Sequence, residues 1–158
     1  MEELTFRFAE ERDCALILQF IRGLAEYEKM SDQVVATEAL LREWIFEKKK
    51  AEVLFACADG REVGFALFFH NFSTFLGRAG VYLEDLFVLP EHRGKGYGKA
   101  LLKCLARLTV ERGCGRLEWA CLDWNRPSID FYLSLGAAPM DEWTTYRVTG
   151  ETLQKLGG

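Results

Sequence analysis

One segment constrains the fold of this chain more than any other, because three structural signals follow one another within it. Residues 81–89 are a long, mainly apolar run of the kind that forms a buried strand. A glycine-rich stretch follows at 93–99, and apolar residues at helical spacing then predict a helix over 97–112, which Gly113 ends. A strand that leads through a glycine loop into a helix indicates an α/β fold.

The other segments predict a mixed sheet. Further strands are predicted at 4–8, 53–58, 63–69, 117–122 and 143–148, with a hairpin turn at Asp59-Gly60 and a loop over 71–80. Helices are predicted at 11–28, at 37–48 with Thr37 as its cap, and from Asn125 or Ser128 to Gly136. The expected architecture is an α/β fold in which a mixed, mostly antiparallel sheet is flanked by helices on both faces. We expect one domain over residues 1–158.

Composition and charge argue against several classes of partner. The formal net charge is -4, and phosphate backbones require a basic face, so nucleic acid is not expected as a partner. No apolar run approaches the roughly 20 residues that a membrane helix needs, so no membrane partner is expected either. Five cysteines without a C-x-x-C pair indicate thiols in a reducing compartment, and we expect a cytoplasmic protein. With only two histidines, a Cys/His metal cluster is not expected.

The loop at 93–99 carries the first chemical signal. The N-terminus of the following helix exposes backbone N–H groups, and glycines allow a loop to wrap closely around an anion. Arg93, Lys95 and Lys99 add three cations. The loop therefore predicts a phosphate or pyrophosphate site, with a turn whose glycines only relieve strain as the alternative. The spacing fits neither the dinucleotide fingerprint nor the Walker loop.

The pattern R-x-x-G-x-G, which starts at Arg93, resembles the acetyl-CoA pyrophosphate loop of the GNAT superfamily of N-acetyltransferases. The resemblance implies acetyl-CoA as co-substrate and no metal. Its pantetheine arm would bind backbone groups at the end of the preceding strand, and its pyrophosphate would bind the N–H groups of the loop. The implied cofactor-binding residues are Leu86, Phe87, Val88, Arg93, Gly94, Lys95, Gly96, Tyr97, Gly98, Lys99, Asn125 and Ser128.

Three longer blocks, at 24–28, 82–85 and 124–132, resemble the diamine acetyltransferases of the spermidine/spermine group. This resemblance implies a homodimer that acetylates a primary amine of a small molecule, namely a polyamine, a diamine or a thialysine-like amino acid. Residues 122–125 and the loop around 73–78 look closer to the branch that acetylates thialysine. Phe75 stands where the family often has tryptophan, which leaves the length of the substrate open.

The resemblance implies two catalytic residues. Tyr132 matches the general acid of the family, and a phenol with a pKa of about 10 can protonate a leaving thiolate. Glu84 would pair with the substrate ammonium and take its proton, directly or through water. A carboxylate buried in an apolar strand needs such a reason. The alternatives are a half-buried aromatic residue for Tyr132 and a structural ion pair with an arginine for Glu84.

Other residues near these blocks take lesser roles. Tyr27 and Glu28 would border the amine site, unless they are only a surface helix end. Asp85 would point away from Glu84 in a regular strand and is interpreted as structural. Asn125 is also a plausible cap for the helix of Tyr132. His70, before the variable loop, is interpreted as solvated rather than as a base.

Two rival functions stay open at this point. One is acetylation of a protein N-terminus or lysine, which needs an open groove rather than a closed small-molecule site. The other is an acyl-CoA-binding sensor without catalysis, and the presence of both Glu84 and Tyr132 argues against it.

Overall fold

The computed structural model of this protein describes residues 3–158. They form two compact units, one that ends at Ala120 and one that runs from Cys121 to Gly158. The expectation of a single domain over residues 1–158 remains a prediction. Within the described residues, no helix is both long enough and apolar enough to cross a membrane.

A five-stranded sheet organises the first unit. Its strands lie side by side in chain order: β1 (Leu4–Phe8), β2 (Glu52–Ala58), β3 (Arg61–Ser73), β4 (Arg78–Val88) and β5 (Leu117–Trp119). The first four strands are antiparallel to their neighbours, and β5 runs parallel to β4. The predicted mixed, mostly antiparallel sheet is therefore confirmed.

Three helices of the first unit accompany the sheet: α1 (Cys14–Tyr27), α2 (Glu38–Leu41) and α3 (Tyr97–Glu111). Thr37 caps α2 as predicted, because its hydroxyl accepts a hydrogen bond of 3.2 Å from the backbone N–H of Leu40. The predicted helix over 37–48 is divided, since α2 continues as a π-helical segment over Arg42–Glu47. Short 3-10 turns cover Glu11–Asp13, Ser31–Gln33 and Pro90–His92.

Helices α1 and α3 lie on opposite faces of β4. A Cβ atom added to Gly23 of α1 would lie 2.9 Å from the ring of Phe87. A Cβ added to Gly98 of α3 would instead lie 3.8 Å from the side chains of Leu86 and Val88. Because successive strand residues point to opposite faces, these contacts confirm helices on both sides of the sheet.

The core beneath α1 is built from aromatic rings. The ring of Phe20 stacks on Phe65 at a centroid distance of 5.2 Å and lies 5.8 Å from the ring of Phe55. All three are buried, and burial of such a side chain contributes about 2 kcal/mol to stability. This packing seats the C-terminal half of α1 firmly on the sheet, which matters because α1 ends at Tyr27.

The β3–β4 hairpin is longer than the sequence predicted. The ladder continues to the pair of Ser73 with Arg78, so the predicted loop over 71–80 shrinks to a tight turn. Ser73 closes that turn, since its hydroxyl accepts from Leu76 N at 3.1 Å and its carbonyl accepts from Gly77 N at 2.8 Å. Phe75, at the tip, is 99% exposed.

The second unit contains two helices, α4 (Arg126–Ser134) and α5 (Gly150–Leu156). The predicted strand over 143–148 is wrong, because none of these residues joins a ladder within the described chain. Trp143 is 75% exposed and Tyr146 is 90% exposed. An alternating pattern becomes a strand only where a neighbouring strand accepts its backbone hydrogen bonds. The predicted strand over 117–122 is likewise cut short at Trp119.

Candidate active site

The site begins at an irregularity in β4. Leu83 pairs with Phe68 and Asp85 pairs with Leu67, so Glu84 is an extra residue with no partner on β3. Such a β-bulge bends a strand and re-aims its side chains. The parallel ladder with β5 covers only Val81 to Leu83 and ends at the same point. The second half of β4, after the bulge, therefore has no ladder partner in β5, which ends at Trp119.

Three carboxylates lie within electrostatic reach of one another around this bulge. They are Glu28, directly after α1, and Glu84 and Asp85 in β4. Burial raises the pKa of Asp85 to about 7, and repulsion from Glu84 and Glu28 adds to the rise. Burial also raises the pKa of Glu28, again with a contribution from Glu84. Adjacent carboxylates that repel each other in this way disfavour full ionisation of the group.

These carboxylates differ from the sequence-based expectation in two respects. Glu84 is exposed, so the cost of burial falls on Asp85 instead. The regular strand that would turn Asp85 away from Glu84 is interrupted by the bulge. Asp85, rather than Glu84, is thus the partly buried carboxylate of this pair. Two adjacent acids in an apolar run were the available signal, because a regular strand would have to bury one of them.

None of the three carboxylates forms an ion pair with a cation of residues 3–158. The structural arginine pair considered for Glu84 is therefore not found there. The described residues also offer no group of three or more acidic, cysteine or histidine side chains suited to a metal ion. What remains is a negatively charged region that is suited to an organic cation.

The predicted phosphate loop has the geometry of an anion site. Gly94 and Gly96 have φ values of 80° and 81°, which L-residues rarely adopt, and both positions border open space. Gly96 precedes α3 without a side-chain cap. The first hydrogen bond of the helix runs from Ala100 N to Gly96 O at 3.0 Å, so the N–H groups of Gly98 and Lys99 have no acceptor inside the helix. The donors and the exposed cations Lys95 and Lys99 fit a pyrophosphate.

At the end of β4, burial of Phe87 and Val88 favours cofactor contacts through the backbone. The side chain of Phe87 is buried against α1, and those of Leu86 and Val88 face α3. The carbonyl of Val88 already accepts a hydrogen bond of 3.1 Å from Nε of Arg93. Tyr97 is buried as well, so it too would contribute its backbone rather than its ring.

Arg93 connects this loop to the end of α1. Its guanidinium carbon lies 4.7 Å from the ring centroid of Tyr27 and 5.1 Å from that of Phe87. The structure therefore brings together Tyr27, which was predicted at the amine site, and Arg93, which was predicted at the cofactor site. Glu28 follows Tyr27 directly and shares its neighbourhood.

The remaining predicted residues lie on α4 of the second unit. Asn125 is its N-cap, because Oδ1 accepts from Ser128 N at 3.4 Å, and this decides between the two cap candidates. Pro127 lies in the first turn, where a missing N–H costs nothing. Tyr132 is half-buried, and its ring lies 5.5 Å from that of Phe131.

The two histidines have distinct environments. Nδ1 of His70 lies 3.0 Å from the carbonyl of Gly80, and Nε2 lies 2.9 Å from a guanidinium nitrogen of Arg112. His70 is thus held on the outside of the hairpin with both nitrogens engaged. His92, one residue before Arg93, has two buried ring nitrogens without a hydrogen-bond partner among the described residues.

Comparison with known proteins places this chain in a family. Residues 17–137 match the acetyltransferase (GNAT) family. The chain is 40% identical to the thialysine N-epsilon-acetyltransferase of Bos taurus, over the full chain and 99% of that protein. It is 30% identical to the spermidine/spermine N(1)-acetyltransferase-like protein 1 of Homo sapiens, over 97% of this chain and 24% of that protein. The solved structure of an integron cassette protein of V. cholerae superposes with a TM-score of 0.81 at 30% identity, covering 98% of this chain and 97% of the other.

The chain therefore belongs to the acetyltransferase (GNAT) family. It is an acetyl-CoA-dependent N-acetyltransferase, as the glycine loop and the three longer blocks predicted.

Proposed function

We propose that this enzyme transfers the acetyl group of acetyl-CoA to a primary amine of a small cationic molecule, and that a thialysine-like amino acid is its preferred substrate. The observation that carries this proposal is the group formed by Glu28, Glu84 and Asp85. These carboxylates have no counter-cation within residues 3–158, and an ammonium group of a substrate would supply one.

The choice of amine rests on similarity. The relative that matches over its whole length at 40% identity is a thialysine N-epsilon-acetyltransferase, whereas the spermidine/spermine-like protein matches at 30%. Polyamines and diamines are the second choice, because three carboxylates also suit a substrate with several ammonium groups. Protein amines and a non-catalytic sensor role are the alternatives that the experiment below must exclude.

The proposed reaction is direct attack of the amine on the thioester. At neutral pH a primary amine with a pKa of about 10.4 is protonated, and Glu84, directly or through water, accepts the proton that must leave. The nitrogen then attacks the thioester carbonyl, and the C–S bond breaks as the tetrahedral intermediate collapses. Tyr132 donates its phenolic proton to the departing thiolate, so that free CoA leaves as a thiol. The nitrogen of the new amide releases its second proton to water, and the tyrosinate takes a proton from water, which restores the enzyme.

Binding of acetyl-CoA is assigned to the backbone. The N–H groups from Gly94 to Lys99 would hold the pyrophosphate, with Lys95 and Lys99 as counter-charges. Backbone groups of residues 86–88 would hold the pantetheine arm at the end of β4. Asn125 and Ser128 would add contacts from the first turn of α4.

The decisive experiment measures CoA release with thialysine, lysine, putrescine, spermidine, spermine and a lysine peptide. Tyr132→Phe and Glu84→Gln are compared with the parent, and Tyr146→Phe serves as a matched control because Tyr146 is 90% exposed. We expect the highest kcat/KM with thialysine. We expect Tyr132→Phe to lower kcat by about 10²-fold or more, and Tyr146→Phe to leave it unchanged.

Each other outcome is informative. Turnover of the peptide alone would contradict the small-molecule assignment and leave the enzyme class intact. Tight acetyl-CoA binding without turnover of any amine would favour the sensor role. Equal losses in Tyr132→Phe and Tyr146→Phe would remove Tyr132 from the mechanism.

We also propose that the enzyme is a cytoplasmic homodimer, as the diamine acetyltransferase resemblance implies. Its thiols support a reducing compartment, since all five described cysteines are free. Light scattering coupled to size-exclusion chromatography would test the dimer, and a mass near 18.1 kDa would contradict it. Cell fractionation would test the location.

A further inference from the structure

We propose that Arg93 is a positioning residue of the amine site: it holds the ring of Tyr27 in place and thereby couples the acetyl-CoA loop to amine recognition. The inference rests on the proposed function, which places Tyr27 and Glu28 at the amine. It assigns to Arg93 a task that differs from the phosphate contact its place in the loop would suggest.

The side chain of Arg93 points toward the end of α1. Arg93 opens the glycine loop, yet its guanidinium carbon lies within 4.7 Å of the Tyr27 ring centroid and 5.1 Å of the Phe87 ring centroid. A guanidinium at these distances is attracted to the negative faces of aromatic rings. The group is thus directed toward the end of α1.

The guanidinium of Arg93 also contacts the end of β4, through Val88 and Phe87. Nε donates a hydrogen bond of 3.1 Å to the carbonyl of Val88. Phe87 is buried, and its ring is so close to α1 that a single Cβ on Gly23 would collide with it at 2.9 Å. Phe87 is therefore an immobile support, and Arg93 cannot shift without losing this contact. A planar, forked cation is required for the combination of stacking and Nε hydrogen bonding, and lysine does not provide it.

Tyr27 directly precedes the first of the three carboxylates. It is the last residue of α1, and it is 37% exposed. Glu28 follows it and is electrostatically coupled to Glu84 and Asp85. A ring held by Arg93 therefore fixes the edge of the region that receives the ammonium. Ordering the loop around acetyl-CoA then orders Tyr27 as well, which is the condition for coupling between two sites.

The test separates amine recognition from acetyl-CoA binding. Arg93→Lys keeps the charge but loses the planar stack, and Arg93→Gln provides a second variant that keeps a planar group without charge. Lys95→Gln is the matched control in the same loop, because Lys95 Nζ lies 6.0 Å from the ring of Tyr97 and not near Tyr27. For each protein, calorimetry gives the acetyl-CoA Kd, and steady-state kinetics at saturating acetyl-CoA give KM and kcat for the amine. Thermal unfolding checks that each variant folds.

We expect both Arg93 variants to raise the amine KM about fivefold while the acetyl-CoA Kd changes less than about twofold. Lys95→Gln should show the reverse. In a Tyr27→Leu background, Arg93→Lys should have almost no further effect on KM, because the interaction it removes is already lost.

Two results would overturn the inference. One is a rise in acetyl-CoA Kd in the Arg93 variants as large as that in Lys95→Gln, with an unchanged amine KM. The other is an equal effect of Arg93→Lys with and without Tyr27. Either result in a parent that turns over a small amine contradicts only the role of Arg93, whereas a parent that turns over none contradicts the proposed function and the inference together.

Discussion

Glu84 and Asp85 are neighbours in β4 that differ in environment: the bulge leaves Glu84 exposed and without a partner on β3, whereas Asp85 is partly buried and pairs with Leu67. Their repulsion, together with burial, raises the pKa of Asp85 to about 7. The pair therefore combines an exposed carboxylate with one that holds a proton near neutral pH.

The raised pKa of Asp85 predicts a pH dependence of stability. The folded protein binds this proton more tightly than the unfolded chain, in which the aspartate has its ordinary pKa of 3.8. The stabilisation by the proton is therefore complete below the unfolded pKa and is lost as the pH rises through about 7. We compare the free energy of unfolding of Asp85→Asn with that of the parent at each pH. We expect this difference to favour the variant by about 2 kcal/mol more at pH 8 than at pH 4, after allowance for solvent screening.

Urea unfolding at the two pH values measures this difference. Asp32→Asn is the control, because Asp32 is exposed and lies outside the carboxylate group. If the stabilities of the parent and of Asp85→Asn follow the same pH curve, folding does not change the pKa of Asp85, and the carboxylate is ionised in the folded protein at neutral pH.

The cap of α4 predicts a second effect, on both stability and binding. Asn125→Ala removes the acceptor for Ser128 N and should lower the free energy of unfolding by about 1 kcal/mol. Asn125→Ser restores a capping oxygen and should recover that loss. If Asn125 also contacts acetyl-CoA, both variants should raise the acetyl-CoA Kd.

Thr37→Ala is the matched control for this pair, since Thr37 caps α2 with the same kind of hydrogen bond. It should show a comparable loss of stability and an unchanged acetyl-CoA Kd. A Kd that rises in Asn125→Ala and returns to the parent value in Asn125→Ser would instead assign to Asn125 a capping role alone.

The hydrogen bonds of His70 predict that it is not a catalytic base. Nε2 lies against a guanidinium of Arg112, which can only donate, so this nitrogen accepts and Nδ1 carries the proton toward the carbonyl of Gly80. The lone pair that a base would use is therefore engaged. We expect His70→Gln to keep kcat within about threefold of the parent.

Nitrogen NMR of the imidazole checks the assigned tautomer directly. A ring protonated on Nε2 rather than Nδ1 would contradict the hydrogen-bond assignment. A loss of kcat in His70→Gln as large as that in Tyr132→Phe would restore His70 as a candidate base.

Two glycines predict opposite results for the same substitution. A Cβ on Gly80 would lie 3.1 Å from the backbone carbonyl of Arg116, which is fixed because it accepts a hydrogen bond from Val81 N. Gly80→Ala should therefore lower the free energy of unfolding by about 1–3 kcal/mol. A Cβ on Gly98, in the first turn of α3, would lie at an ordinary contact distance of 3.8 Å from its nearest neighbours. Gly98→Ala should therefore be neutral or raise the free energy of unfolding by up to about 1 kcal/mol.

Chemical denaturation of both variants tests this contrast. Equal changes in stability would show that backbone entropy, which both substitutions alter in the same direction, outweighs the contact at Gly80.

The parts of the fold that depend on local signals could be predicted from the sequence. The helix over 97–112 agrees with α3 to one residue, because a glycine N-cap, an apolar stripe and Gly113 with its φ of 73° all lie within the segment itself. The Asp59-Gly60 turn was predicted for the same reason, since its positive φ values are a property of those two residues. The glycine loop likewise predicts an anion site from a local signal alone, and this site stays a prediction.

Local patterns in the sequence were thus enough for the kind of element in most segments and for the family to which the motifs belong. Tertiary structure decided the rest. The bulge at Glu84 depends on the register with β3, the absence of a ladder at 143–148 depends on a missing partner strand, and the stack of Arg93 on Tyr27 joins residues 66 positions apart. Periodicity reports which side of an element is apolar, whereas register, partner and contact are set by chain segments that the local pattern does not contain.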